Sequence, residues 1–534
     1  MDASPVARWF RRIGEHAWTY DGRLGLRLIV ISCLVTIAVA LLGPSSVTLN
    51  VGPADGSLLP PYFLPVEVGQ RFGLPLPELV LVPLLWIGII VGALGLFVAW
   101  RAIEAGWRPG IHRLFYLGAG LSFATALVPP LTSADVLMYA AYGRLQRQGL
   151  DPYEITPAEI FRQAYDPVLV WTERPWQDTP SVYGPIASAS QWLANMLGGD
   201  SMHAIVFWLQ MMAVIPFIVI CIIMIKLAHG NAAVQTRSVL FTILNPLLIW
   251  SVVAGAHNEA LTLVFAVIAL WFVRRSAFVT GLFIGLAGAV KVSLVFYGLA
   301  LMWGYRHDWR KLVGLCLGAA IPLALLYGLF APQALFAASR NTGYISGGSW
   351  APWLWHSLGW IMPEATARSI TGLVGWIGLV VIGWMFSRVL PWAPVPGTTV
   401  PARQDPLTIA VRTAVVLGAA WLVTSPYTLA WYDLMVWVPL ALMVPNRLDW
   451  LFMLRGTALS VAYVAGRTVG FSEVMTGPVN TVVRDTLCTA VQWFVIIAII
   501  QWFWSRGRSW PTWAFVRQGF GRLGRPAPDL ARTP

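Results

Sequence analysis

The sequence predicts an all-α, polytopic integral membrane protein with about 12–14 transmembrane helices and interfacial helices in its first large outer loop. Three observations carry this. The 534 residues are 57% hydrophobic and only 11% charged, against about 25% charged in soluble domains. Apolar runs of spanning or near-spanning length recur along the chain. Arg and Lys fall mainly into alternate connections, as the positive-inside rule requires.

The apolar runs lie near 26–42, 78–100, 114–130, 203–227, 238–254, 259–273, 277–290, 292–304, 311–330, 367–387, 409–424, 430–445, 450–466 and 485–504. Backbone groups in lipid must be satisfied within the segment, so each run is read as a helix. The first follows a basic stretch (Arg8, Arg11, Arg12) without a convincing cleavage site, so it reads as an uncleaved span. With the N-terminus in the cytoplasm, alternation places Arg101, Arg237, Arg274, Arg306, Arg388 and Arg447 inside. It places both termini in the cytoplasm and segments 131–202 and 331–366 outside.

The stretch 277–304 tests that topology. A single helix would put Arg306, Arg310 and Lys311 outside. Two short helices turning at Lys291 restore the bias, each about 21 Å long at 1.5 Å per residue. One tilted helix with a buried Lys291 is the alternative. Residues 1–504 form one transmembrane domain, with 131–202 and 331–366 as outer catalytic or substrate loops. Residues 505–534 form a basic cytoplasmic tail. In the first outer loop, Asp135–Gln148 and Pro157–Trp171 are expected as interfacial helices.

The net charge of +12 would suggest nucleic acid in a soluble protein. Here it fits anchoring charges and anionic membrane lipids, with no nucleic-acid partner. Cys33, Cys221, Cys316 and Cys488 are scattered through apolar runs and predict neither a disulfide nor a metal site. No metal cluster, Walker motif or dinucleotide fingerprint is present.

Under this topology the notable polar residues converge on the outer side. Asp135 opens the first outer loop, where a carboxylate at the bilayer edge needs a partner or a task. Asp135, Tyr139 and Tyr142 share a helix face at i, i+4 and i+7. That face suits a general base flanked by sugar-binding rings; the plainer reading is a surface helix with tyrosines at the headgroups. Lys291 suits a phosphate, as a point charge with three donors, or it snorkels to the interface. His257 is a second candidate for donor phosphate. Asn258 and Glu259 are candidates for substrate binding, or simply the cap and first-turn acid of a helix. Tyr183, Trp350 and Asp433 complete the substrate-binding candidates. Trp350 follows the Gly-rich stretch Asn341–Ser349, and any single tryptophan here can belong to an interfacial belt.

These residues carry a resemblance. Ser133-Ala134-Asp135, followed by Tyr139, Gly143-Arg144, Gly149 and Asp151-Pro152-Tyr153, resembles the first outer loop of GT-C glycosyltransferases. More narrowly, Tyr183-Gly184-Pro185, Gly255 to Ala260 and Ala289-Val290-Lys291 resemble the actinobacterial polyprenol-phosphomannose-dependent α-1,6-mannosyltransferases of lipomannan and lipoarabinomannan synthesis. The similarity runs over roughly residues 110–470. It implies a polyprenyl-phosphate-mannose donor, a lipid-anchored mannan acceptor, inverting single displacement, Asp135 as base and no obligatory cofactor or metal. It also implies a plasma-membrane enzyme of the cell envelope with its site facing outward. No large soluble C-terminal domain of the kind many GT-C enzymes carry is expected after residue 504, which disfavours arabinosyltransferases with carbohydrate-binding tails; another polyprenyl-phosphate-sugar transferase, such as an arabinosyltransferase, is the alternative within the enzyme class. A lipid-linked sugar flippase is the rival from another class; paired broken helices would mark it, and only the Lys291 segment is a candidate.

Overall fold

The computed structural model describes residues 20–53, 78–337, 343–464, 466 and 472–505. The basic tail from 506, Arg8, Arg11, Arg12 and Asn341 lie outside the described residues. Among the described residues every regular element is helical.

Eight helices are long and apolar enough to cross a membrane, among them Gly22–Leu41, Glu78–Glu104, Met202–Leu227, Glu364–Val389 and Pro406–Thr424. That is fewer than the 12–14 expected. The other expected segments are helical but short: Ile111–Ala126, Glu259–Phe272, Ala277–Val290, Val295–Tyr305, Leu434–Ala441 and Arg447–Ala462. Leu434–Ala441 is buried throughout. A protein-lined helix need not match the bilayer thickness, so short helices survive inside the bundle.

Successive helices run antiparallel. Trp86 donates its indole N–H to Val461 O at 3.0 Å, and Phe272 stacks on Phe283 while Glu259 meets Lys291 at the other end of the same pair. The bundle therefore has two poles. Asp135, His257, Lys291 and Trp431 lie at one, here the site pole. Arg237, Arg274, Arg388 and Arg447 lie at the other, the basic pole.

The chain reverses at Lys291. Gly281 abuts Leu315, Gly285 abuts Pro322 and Gly318 abuts Phe278, so Ala277–Val290 and Trp309–Leu325 pack in parallel. Tyr305 Oη donates to Val273 O at 2.6 Å, which returns the chain to the basic pole between them. Small residues at this seam let the two backbones approach closely. Lys291 itself is extended, with φ −154° and ψ 129°. Two short helices, not one tilted helix, occupy 277–305.

In segment 131–202, expected to be the first outer loop, the helix Asp135–Arg147 forms but does not lie on the bundle surface. It is largely buried and packs against Pro185–Gly198, where Asn195 Nδ2 donates to Ala140 O at 2.8 Å. The second expected helix is broken into Pro157–Phe161 and a 3-10 turn at Leu169–Trp171. Asp166 interrupts it: Oδ1 accepts the N–H groups of Val168 and Leu169, each at 2.9 Å, and Oδ2 accepts Arg144 Nε at 2.8 Å. A short acid that bonds its own following backbone favours a turn over a helix.

Candidate active site

Two strained loops build the site. Thr132 has φ +71° and Ala256 has φ +51°, a region costly for residues with a Cβ and above all for a β-branched one. Leu131 N–H donates to Ala254 O at 2.8 Å, which ties the loops together. Ile249–Val253, just before the second loop, is a π-turn, a form common at functional sites.

Asp135 starts its helix with its N–H on Ser133 Oγ at 3.2 Å. Its side chain is 21% exposed and its Oδ2 lies 3.6 Å from His257 Nδ1. His257 Nε2 lies 3.4 Å from Ser133 Oγ. The ring is fully buried and stacked on Trp431, centroids 3.7 Å apart. Burial, then the nearby Lys291 charge, holds His257 well below its ordinary range, so the ring is neutral. The tautomer that suits both neighbours carries its proton on Nδ1, facing Asp135, and accepts from Ser133 at Nε2. Burial raises the Asp135 carboxyl to about 6; Glu259 adds to the rise, and Lys291 and Ser133 oppose it.

Lys291 Nζ pairs with Glu259 Oε1 at 2.5 Å and sits 4.4 Å from the centroid of the Tyr432 ring. Glu259, Lys291, Ser293, Trp421 and Tyr432 line a cleft with an empty volume of about 300 Å³. Glu259 Oε2 and Asn258 Nδ2 are buried without a partner. Asn258 stands at the N-cap but makes no side-chain cap bond, so the capping reading fails there. Gly184 N–H donates to Val290 O at 3.0 Å, and a Cβ at Gly184 would strike the Ala289 carbonyl. Only glycine lets the Tyr183 segment close on the Lys291 turn.

The structure thus brings Asp135, His257, Asn258, Glu259 and Lys291 together. It sets His257 Nδ1 3.6 Å from Asp135 Oδ2, with the Lys291 charge near enough to act on the ring. Tyr139 and Tyr142 are buried rather than presented outward. Tyr139 meets Tyr183 edge to face at 5.2 Å, and Tyr142 donates to Thr179 O at 2.9 Å. Trp350 is buried with its indole N–H on Thr424 O at 2.9 Å, and offers no free face for a sugar. Asp433 is buried and paired with Arg455, so it does not line the cleft. The sequence marked the segments Ser133-Ala134-Asp135 and Trp431-Tyr432-Asp433 but assigned Ser133, Trp431 and Tyr432 no role of their own. In each segment the carboxylate drew attention away from its neighbours.

Fold and site define a polytopic helical membrane protein with a half-buried carboxylate, a cation and a cleft at one pole. Residues 45–305 match the model of the α-(1→6)-mannopyranosyltransferase family, N-terminal domain. The chain is similar to α-(1→6)-mannopyranosyltransferase B of Corynebacterium glutamicum, 26% identical over 280 residues, which are 48% of this chain and 43% of that protein. It is also similar to α-(1→6)-mannopyranosyltransferase A of Mycobacterium tuberculosis, 27% identical over 261 residues, 46% of this chain and 48% of that one. A second α-(1→6)-mannopyranosyltransferase of that organism is 32% identical over 140 residues, 26% of this chain and 23% of the relative. The chain thus spans less than half the length of these relatives. No solved structure matches. The resemblance to actinobacterial α-1,6-mannosyltransferases is borne out by both the family model and these relatives.

Proposed function

We propose that this protein transfers mannose from a polyprenyl-phosphate-mannose donor to a lipid-anchored mannan, forming an α-1,6 linkage with inversion. The observation that carries the reading is the meeting of Asp135, backed by His257, with the Lys291–Glu259 pair. The acceptor hydroxyl oxygen attacks the anomeric carbon as Asp135 takes its proton. The bond from that carbon to the phosphate oxygen breaks, and the phosphate leaves with the electron pair. Lys291 stabilises the charge that grows on it. Glu259 neutralises Lys291 until the donor phosphate displaces it. His257, seated on Trp431 with its Nδ1 3.6 Å from Asp135 Oδ2, positions the Asp135 carboxylate.

The GT-C fold type and the linkage come from the resemblance and the relatives' names. The concentration of Arg at the opposite pole supports a plasma-membrane protein whose site faces outward. The donor is a substrate, and Lys291 supplies the charge without an obligatory metal. The test is incubation of purified protein with polyprenyl-phosphate mannose and a short mannoside, followed by linkage analysis. An α-1,6-extended product supports the reading; an untouched donor with folded protein contradicts it.

A further inference from the structure

The basic pole holds a second cavity, beside Trp392. Its walls include Thr408, Val411, Arg412, Leu442, Met443 and the exposed Val444. Arg412 is only 6% exposed. Its Nη2 donates to Ser387 O at 2.8 Å and Leu390 O at 3.0 Å, which closes the end of helix Glu364–Val389. Its Nε is buried with no partner. The Arg412 guanidinium lies 4.1 Å from the Trp392 ring centroid, and the exposed Arg403 guanidinium lies 5.3 Å from the same centroid. Two other arginines at this pole pair with acids, Arg274 with Asp405 and Arg237 with Asp449, whereas Arg275 and Arg306 rest on tryptophan rings. Among the described residues, Arg403 and Arg412 pair with none.

A buried cation without a counter-ion is costly. Two guanidinium groups on one indole, next to an apolar cavity, fit an anion that carries its own hydrocarbon. We propose that Arg412, Arg403 and the cavity beside Trp392 bind the phosphate of an anionic phospholipid from the leaflet at the basic pole, separate from the candidate active site. The phosphate takes the free Arg412 Nε and the Arg403 fork, and an acyl chain lies along the exposed Val444 at the mouth of the cavity. Phosphate is the shared chemistry of a lipid headgroup and a soluble phosphate ester; the apolar wall favours the lipid.

Native mass spectrometry of the full chain in detergent tests this, with phosphatidylglycerol and phosphatidylcholine of matched chains. Wild type should retain phosphatidylglycerol preferentially. Arg403→Gln and Arg412→Gln should each lower that retention about fivefold, the effect of one basic residue near a lipid surface. Val444→Trp, which narrows the cavity and leaves both arginines, should also lower it. Arg275→Gln, at the same pole but outside the cavity, should not. Should Arg412→Gln misfold, Arg403→Gln and Val444→Trp carry the test. Equal retention of both lipids by wild type, or unchanged retention in the Arg403 and Val444 variants, overturns the proposal. Displacement of the lipid by millimolar inorganic phosphate would overturn the lipid and assign the site to a soluble phosphate ester.

Discussion

The two poles of the bundle solve opposite problems. At the basic pole, helices start with side-chain caps from Asp21, Asn231, Ser276, Asp308, Asp405 and Asn446. At the site pole, the helices starting at Pro185, Glu259, Val295 and Leu434 have none. Gly110 at the basic pole, and Ser201 and Thr156 at the site pole, are exceptions. Arg274 grips Asp405 with two bonds of 2.9 and 2.7 Å at the basic pole. At the site pole His257 Nδ1, Asn258 Nδ2 and Glu259 Oε2 are left without hydrogen bonds. Among the described residues, two of the three non-glycine residues with positive φ, Thr132 and Ala256, flank the site; the third, His229, is in a turn at the basic pole. Satisfied termini hold the bundle together at one pole. Uncapped helix starts and most of the backbone strain lie at the other, where a substrate can use them.

This contrast predicts where substitutions act. The largest effect is expected for Asp135→Asn, which keeps shape but loses basicity and should slow turnover by about 10²–10⁴-fold. A rate within a few-fold of wild type, in folded protein, would remove Asp135 as the base. Lys291→Met should lower kcat/KM for the donor by at least about 10-fold, about 1.4 kcal/mol. Lys291→Arg should recover part of it, because charge survives with altered geometry. If Lys291 only anchors the turn, Lys291→Met will lower yield or Tm and leave donor kinetics unchanged.

Acidity probes the electrostatics of the same pole. The base must be ionised, and the folded protein raises its carboxyl to about 6. The rate should therefore be full above that pH and fall as pH drops through about 6. Glu259→Gln removes a negative neighbour and leaves Lys291 unpaired, and both changes favour the ionised Asp135. The acid limb should move to lower pH. A limb that stays in place would break the coupling between the two carboxylates.

The smallest catalytic effect belongs to the basic pole. Asp405→Asn keeps capping ability but breaks the pair with Arg274. Thermal unfolding should show a lower Tm, by about 1 kcal/mol for a lost pair of this kind. Turnover of the folded fraction should match wild type. A large loss of turnover without loss of stability would show that the poles are not separate.

Much of this architecture was legible in the sequence because lipid imposes a simple code. Apolar runs gave the helices, and the placement of Arg306, Arg310 and Lys311 gave the reversal at Lys291. Asp135 stood out because a carboxylate at a bilayer edge needs a reason. What stayed hidden depends on tertiary contact. No spacing rule joins Trp431 to His257, 174 positions apart in the numbering. The burial of Trp350 and the pairing of Asp433 with Arg455 were hidden for the same reason, so both looked like site residues. The strain at Thr132 and Ala256 is carried by residues that ordinarily avoid positive φ, so composition gave no hint of it.

The division of labour within the site is the central claim, and one paired measurement tests it. Donor binding and donor turnover should be measured on the same preparation of Asp135→Asn. The account predicts a donor Kd within a few-fold of wild type, because Lys291 and the cleft are intact, with turnover lowered by at least about 100-fold. Turnover near the wild-type rate, in a variant that binds the donor normally, would contradict it.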